Sequence, residues 1–410
     1  MSDDTIVGAS GHLGDRLARL RRLADLTQES LSERSGVSID VIRKLEQHRK
    51  HSARLPTLHK IAAGLGVEVT GLLGDPPALS TKQGESPELV AVRRAIMPSP
   101  LAPTSEPESA EPLSLDLLRA EIAEGWTFYH AAEFGQLMRS LPGIIDDARI
   151  VVTVGPRDQR DAAQVALGKA FQLGGHLAIR LGKTDLALSS LERGLVAADS
   201  GDDPLLAPMV ANSIAWAYQR QDRLADAERL ATHAADSVER NGPRTASEVR
   251  VWGGLLISAA TSTGRAGDYE QASDILKAAE AAAGRLATLP PSVNGKLVSV
   301  FSRSAVRIER VRLAVQHGQP DVALSLAQGI RLSSDTPPSW RTWLMLDIAR
   351  ARADLGDVEG AVKALQALQR HAPQWIRHHT LAVAIVRDLW AGRARPPGLR
   401  RLAEILGVVG

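Results

Sequence analysis

The chain has 410 residues, 44% of them hydrophobic and 3% aromatic, with 49 Lys and Arg against 47 Asp and Glu, a net charge of +2. This length allows two or three domains, and the absence of cysteine excludes disulfides, thiol nucleophiles and cysteine-based metal sites. With charge so nearly balanced, any affinity for nucleic acid must come from a local patch. The apolar share comes mainly from Ala, Leu and Val, and Ala and Leu favour helices over strands. No apolar run approaches the ~20 residues of a membrane helix, and Met1 to Asp4 is acidic with no apolar signal segment behind it. The expectation is a cytoplasmic chain without membrane contact.

The first motif is Gly8, Gly11 and Gly14 behind Thr5, Ile6 and Val7, a spacing like the glycine fingerprint of a dinucleotide site. That site also needs a second strand after the following helix. Gln28 to Ser35 is polar and helical instead, so a nucleotide-dependent enzyme is the weakest reading. A helix begins near Leu13, with Leu13, Leu17, Leu20 and Leu23 at helical spacing. Thr27 is placed to cap a second helix that runs to about Arg34. Gly36 supplies a left-handed turn, and Ser38 is placed to cap a third helix from Ile39 to about Gln47. A fourth spans Pro56 to Leu65, and a short fifth lies in GVEVTGLLG.

Gln28, Leu31, Gly36, Val37, Ile42, Leu45 and Glu46 resemble the lambda-repressor-like helix-turn-helix of the xenobiotic-response-element (XRE) type over about Leu13 to Gly74. Ser32 departs from the small Ala usual there. In such a motif the second helix lies in the major groove and its first residues reach base edges. The candidates are Ser38, Ile39, Asp40 and Val41, with Arg43 and Lys44 one turn on: Arg or Lys for guanine, Asp for cytosine, an apolar side chain for a thymine methyl. The resemblance implies that Gln28 clamps a phosphate and that Glu46 pairs with Arg21. Arg43, Lys44, Arg49, Lys50, Arg54 and Lys60 face one acid, Glu46, between Val41 and Lys60, enough to neutralise several phosphates of a double-stranded operator.

Residues 76–112 carry eight of the 22 prolines and read as a linker, with one short helix in PELVAVRRAIM and an acidic run, TSEPESAEP. From residue 113 onward a phrase recurs, a Gly- or Asp-bearing turn before a helix with a fixed alanine: Ala187, Ala227, Ala272, Ala323 and Ala361, at separations of 40, 45, 51 and 38. This resembles the tetratricopeptide repeat, whose unit is about 34 residues. Stacked units leave a concave surface lined by the first helix of each pair. The residues expected there are Gln172, His176, Arg180, Asn212, Trp216, Gln219, Arg220, Arg312, Trp343 and Arg350. The stretch RHAPQWIRHHTLAVAIVRDLWAG reads as one further amphipathic helix, and GLRRLAEILGVV as a closing cap or a dimer contact.

The expected fold is therefore all-α, a five-helix head at 11–75, a linker at 76–112 and a tetratricopeptide-like α-solenoid at 113–410. The resemblance extends to repeat-containing regulators of actinobacteria and, more loosely, to peptide-pheromone sensors of Gram-positive bacteria. It implies a homodimeric transcriptional regulator that binds an operator and a peptide or small-molecule signal, without cofactor or metal. The adjacent His378 and His379 point to different helix faces. The competing reading is a protein-binding repeat scaffold tethered to DNA by the head.

Overall fold

The computed structural model describes residues 13–24, 26–50, 53–65, 67, 69–73, 85–99, 112–240, 242–290, 300–332, 336, 338–377 and 379–409. Among these it is all-α, without a strand. Gly8 and Gly11 of the glycine motif lie outside the described residues, as do 104–111 of the acidic run and His378. The chain forms two compact units. One comprises residues 1–80, 311–329 and 342–410; the other comprises 81–310 and 330–341.

The first unit opens with five helices: α1 (Leu13–Leu23), α2 (Gln28–Ser35), α3 (Ile39–Glu46), α4 (Leu55–Leu65) and α5 (Val69–Leu73). The Thr27 hydroxyl takes the Ser30 N–H at 3.0 Å and starts α2, satisfying one of the orphan donors of a helix start. Gly36, at φ 63°, ends it. Ser38 occupies the cap position of α3, but its hydroxyl makes no capping bond. Its carbonyl instead takes the Val41 and Ile42 N–H groups. The departure at Ser32 is absorbed by a new bond, its hydroxyl donating to Val37 O at 2.7 Å. Leu17, Leu31, Ile42, Leu45, Ile61 and Leu72 are the buried centre, each contributing about 1.5–3 kcal/mol. Gly14 belongs to α1: a Cβ there would stand 2.1 Å from Leu45 O. Its smallness serves helix contact rather than a phosphate loop.

The same unit brings in residues more than 300 positions away. Ala384 is buried in the core of the five helices and Leu381 packs beside it. Both lie on the helix Thr380–Ala391. Arg387 of that helix donates to Leu73 O at 2.9 Å, a carbonyl also taken by Arg16 Nη2 at 2.9 Å while Arg16 Nε holds Leu72 O at 2.8 Å. Two guanidiniums thus satisfy the open carbonyl end of α5. Burial, and then the charge of Arg387, lower the Arg16 pKa to about 10. The carboxy-terminal stretch read as one amphipathic helix is two, Pro373–Arg377 and Thr380–Ala391.

In the second unit the proline-rich segment contributes α6 (Pro87–Ile96), capped by Ser86, with Pro87 in its first turn. Leu89, Val92, Ala95 and Ile96 are buried in the core of this unit; their helical spacing leaves an apolar stripe that only packing can cover. This part of the expected linker is therefore built into the fold. The hairpins follow: α7 (Leu115–His130) with α8 (Phe134–Val154), α9 (Arg160–Arg180) with α10 (Thr184–Asp199), α11 (Leu206–Arg220) with α12 (Leu224–Arg240), and α13 (Ala246–Ala266) with α14 (Tyr269–Leu286).

One turn geometry recurs along the chain. Ala132, Gly182, Asp222, Gly267, Gly318 and Gly356 all have left-handed φ, between 58° and 102°. The N–H of the next residue returns each time to the carbonyl five positions earlier, as in Lys183 to Ala178 O and Asp357 to Arg352 O. This closes the helix end. The five repeat alanines each lie five residues beyond such a turn and are at most 1% exposed, which places them where the two helices of a hairpin touch. The hairpins are tetratricopeptide-like, and Ala132 marks one more than the alanine pattern reveals, with Leu137 in the alanine's place.

Candidate nucleic-acid interface and ligand-facing row

The amino-terminal head presents α3 with its polar face outward. Ile42 and Leu45 are 0% and 1% exposed, while Ser38, Asp40, Arg43, Lys44 and Arg49 are exposed and Ile39 and Val41 half-buried. Below this face one carboxylate joins three helices. Glu46 on α3 accepts Arg21 Nε and Nη2 of α1, both at 2.8 Å, and Gln28 Nε2 of α2 at 2.7 Å. Burial works against the Glu46 charge, but the bonds from Arg21 and Gln28 outweigh it and hold its pKa below the ordinary value. Gln28, expected on a phosphate, is thus bonded to Glu46 and also accepts Arg43 Nε at 3.3 Å. Arg43 pairs with Glu29 at 2.8 Å and Lys44 with Asp40 at 2.7 Å, all four about half exposed or more. Such pairs contribute at most about 1 kcal/mol, so a phosphate or a base edge displaces them at little cost.

Two rows of side chains keep a fixed offset from the left-handed turns. Counting back six residues from each turn gives Trp126, His176, Trp216, Thr261, Arg312 and Arg350; counting back two gives His130, Arg180, Arg220, Arg265, Gln316 and Asp354. Within the second unit the first three members of the first row touch. The His176 ring lies 4.9 Å from Trp126 and 5.2 Å from Trp216. Arg180 lies over Trp216 at 5.0 Å and over Tyr129 at 5.7 Å, with Nε donating to Tyr129 OH at 3.0 Å. Cation and ring faces attract in this geometry. Burial, then the charge of Arg180, lower the His176 pKa to about 3 and that of His130 to about 4. Both rings are neutral at pH 7.

Several side chains expected to face a ligand have partners within the fold. Gln172 donates to Met209 O at 3.2 Å and Ser213 Oγ at 3.1 Å. Gln219 donates to Ser258 O at 3.0 Å and Ser262 Oγ at 2.9 Å. Arg350 is held by Asp354 and Asp388. These three are buried joints between successive first helices, because a polar side chain on that face meets the next helix before it meets solvent. The joint continues with Thr261 on Glu309 at 2.8 Å and Arg312 against Asp347 at 3.4 Å. His176 takes part too, at 2.9 Å from Ser213 Oγ. Asn212 and Arg220 remain half-buried on α11 in line with Trp216. Trp343 forms a separate group with Trp375, His379 and Arg312 in the first unit. Trp126, Tyr129 and His130 escape sequence reasoning because α7 precedes the first alanine phrase.

Residues 12–72 match a family model described as a helix-turn-helix domain. With α2, the Gly36 turn and α3 in place, these residues are a helix-turn-helix domain. The chain is also similar to an immunity repressor protein of Bacillus phage phi105, 29% identical over 73 residues, which are 18% of this chain and 50% of that protein. The chain thus spans half the length of this curated relative. Two solved structures are similar to the chain at low scores. A Rap protein complexed with competence and sporulation factor has a TM-score of 0.44 and 11% identity, over 72% of this chain and 87% of that one. Bacillus thuringiensis PlcR in complex with the peptide PapR7 and DNA has a TM-score of 0.38 and 12% identity, over 87% and 98%. Among the described residues no helix is long and apolar enough to cross a membrane.

Proposed function

We propose that the chain is a sequence-specific DNA-binding transcriptional regulator whose helical hairpins sense a peptide or small-molecule signal. The observation that carries this reading is α3, anchored by Ile42, Leu45 and the Glu46 joint, with Ser38, Asp40, Arg43 and Lys44 on its free face. Residues 11–75 are the DNA-reading part, 76–112 connect, and 113–410 respond. Ser38, Ile39, Asp40 and Val41 face bases, Arg43 and Lys44 read guanine or phosphate, and Arg49 adds backbone charge. Gln28 reaches a phosphate by exchanging its bond to Glu46.

The signal is best accommodated along α7, α9 and α11. The rings of Trp126, His176 and Trp216 accept an apolar side chain, and the Arg180 cation fits a carboxylate. Asn212, one turn from Trp216, offers a donor and an acceptor to a peptide backbone. A homodimer is part of the reading, since one recognition helix covers few base pairs and two half-sites about one helical turn apart supply specificity. The chain acts in the cytoplasm, without cofactor.

Mobility-shift titration against the upstream region of its own gene, at several salt concentrations, tests this. A regulator prefers that region over random duplex and loses affinity steeply with salt. Weak binding that ignores sequence would favour the tethered scaffold instead.

A further inference from the structure

The first unit contains a groove of about 410 Å³ between the segment joining α3 to α4 and the helices Pro338–Asp354 and Thr380–Ala391. This volume lies within the ~300–1,000 Å³ range of small-molecule sites. Lys50, Arg54 and Arg393 line it. All three are exposed, and among the described residues none of their side chains forms an ion pair. The deeper charges are one cation and two carboxylates: Arg350, 5% exposed, lies between Asp354 and Asp388. Four cations, Lys50, Arg54, Arg350 and Arg393, thus face two carboxylates across the lining, and the excess positive charge lies at the rim. The walls beside it include Val358, Leu389 and Ala353, which give an occupant apolar surface.

We propose that this groove is an anion site for a phosphate group on a compact apolar body, gripped by Lys50 and Arg54 from the head and by Arg393 from beyond residue 391. Arg and Lys at such a rim make charge-assisted hydrogen bonds to phosphate oxygens, and the walls take the apolar part. An occupant bridges the helix-turn-helix domain to the helix that already supplies Ala384 to its core. The phosphate has two sources, a free small molecule or the backbone of bound duplex. The site itself does not depend on the proposed function, whereas its effect on DNA does.

The test is calorimetric titration of the full chain at low ionic strength with phenyl phosphate and, separately, inorganic phosphate. We expect one phenyl phosphate per chain, bound more tightly than inorganic phosphate, and about tenfold weaker binding in Arg393→Gln, the loss of one contact to a charged group. Arg393 is exposed and outside the head core, and a melting temperature equal to wild type verifies the fold. DNA titrations over salt separate the sources. If a free molecule is the occupant, Arg393→Gln leaves the salt slope unchanged; if the duplex is, the slope falls by about one and phenyl phosphate competes. Absence of phosphate binding, or equal binding in Arg393→Gln, together with an unchanged slope, overturns the proposal. A chain that binds phenyl phosphate but no DNA retains the site and loses the regulator reading.

Discussion

Removing the Glu46 carboxylate tests whether one side chain fixes the pose of α3. Glu46→Ala deletes three bonds of 2.7–2.8 Å, two from Arg21 and one from Gln28. It also leaves the Arg21 guanidinium, 13% exposed, with Leu26 O as its remaining acceptor among the described residues. Buried pairs cost about 3–5 kcal/mol to break from one side, and exposed pairs contribute at most about 1. The Arg21–Glu46 pair lies nearer the buried limit, so the expected loss is about 3 kcal/mol. Amide hydrogen exchange of α3 in the full chain reads this as local opening, about 100-fold faster exchange at 1.4 kcal/mol per tenfold. Operator affinity falls in parallel, because the exposed face of α3 no longer holds one orientation. The pH dependence has a definite sign. The folded-state Glu46 pKa lies below its ordinary value, so the stabilisation is complete above the unfolded value of 4.5 and fades as pH falls through the lower folded one. Wild type and variant therefore converge in acid. Exchange in α3 equal to wild type at pH 7, with a Leu45→Ala control that does accelerate it, would refute the reasoning.

Gly14→Ala places a Cβ 2.1 Å from Leu45 O, a backbone atom that cannot swing aside, and destabilises the head by about 1–3 kcal/mol, visible as a lower melting temperature and weaker operator binding. Acidification loosens the α7–α9–α11 hairpins. His130 and His176 have folded pKa values lowered to about 4 and about 3, so the unfolded chain takes up protons first. The neutral-ring arrangement is unpenalised above pH 6.5 and loses up to about 2 kcal/mol per ring by pH 5, which tryptophan fluorescence across a pH-dependent denaturation series records. Gln219→Leu removes the buried donor to Ser258 O and Ser262 Oγ and costs about 1–3 kcal/mol while leaving signal binding in place; loss of signal response without loss of stability would return Gln219 to the ligand surface. Asn212→Ala abolishes the signal response and leaves operator affinity unchanged, measured by mobility shift with and without the signal.

Features written in short stretches of chain were legible. Thr27, Gly36, Ile42 and Leu45 fix the boundaries and inward face of α2 and α3 because capping, left-handed φ and helical spacing act within a few residues. The alanine phrase worked for the same reason: five residues separate each turn from the contact that requires a small side chain. Ser38 shows the limit of such reading. Its type suits a cap, yet the backbone carbonyl alone meets the first donors of α3, and the hydroxyl stays exposed where a duplex would meet it.

What sequence could not show lies in contacts between distant positions. Gln172 and Trp216 look alike as inward residues of first helices, but Gln172 finds Ser213 on α11, while Trp216 meets the His176 ring and the Arg180 cation. Only the packing of α9 against α11 separates joint from surface. The same holds for Ala384 and Arg387. On their own helix they read as an ordinary small residue and a solvated cation, yet Ala384 completes the core of a domain that starts at residue 13, and Arg387 closes the end of α5. A substitution such as Ala384→Asp, in a helix more than 300 positions along the chain from α3, buries a carboxylate among Leu and Ile side chains. Its cost falls on the fold of the head, so carboxy-terminal variants that weaken operator binding need be neither ligand-site nor dimer variants. Hydrogen exchange at Leu72 and Leu73, faster in Ala384→Asp and unchanged in a surface control such as Arg400→Ala, distinguishes the two causes.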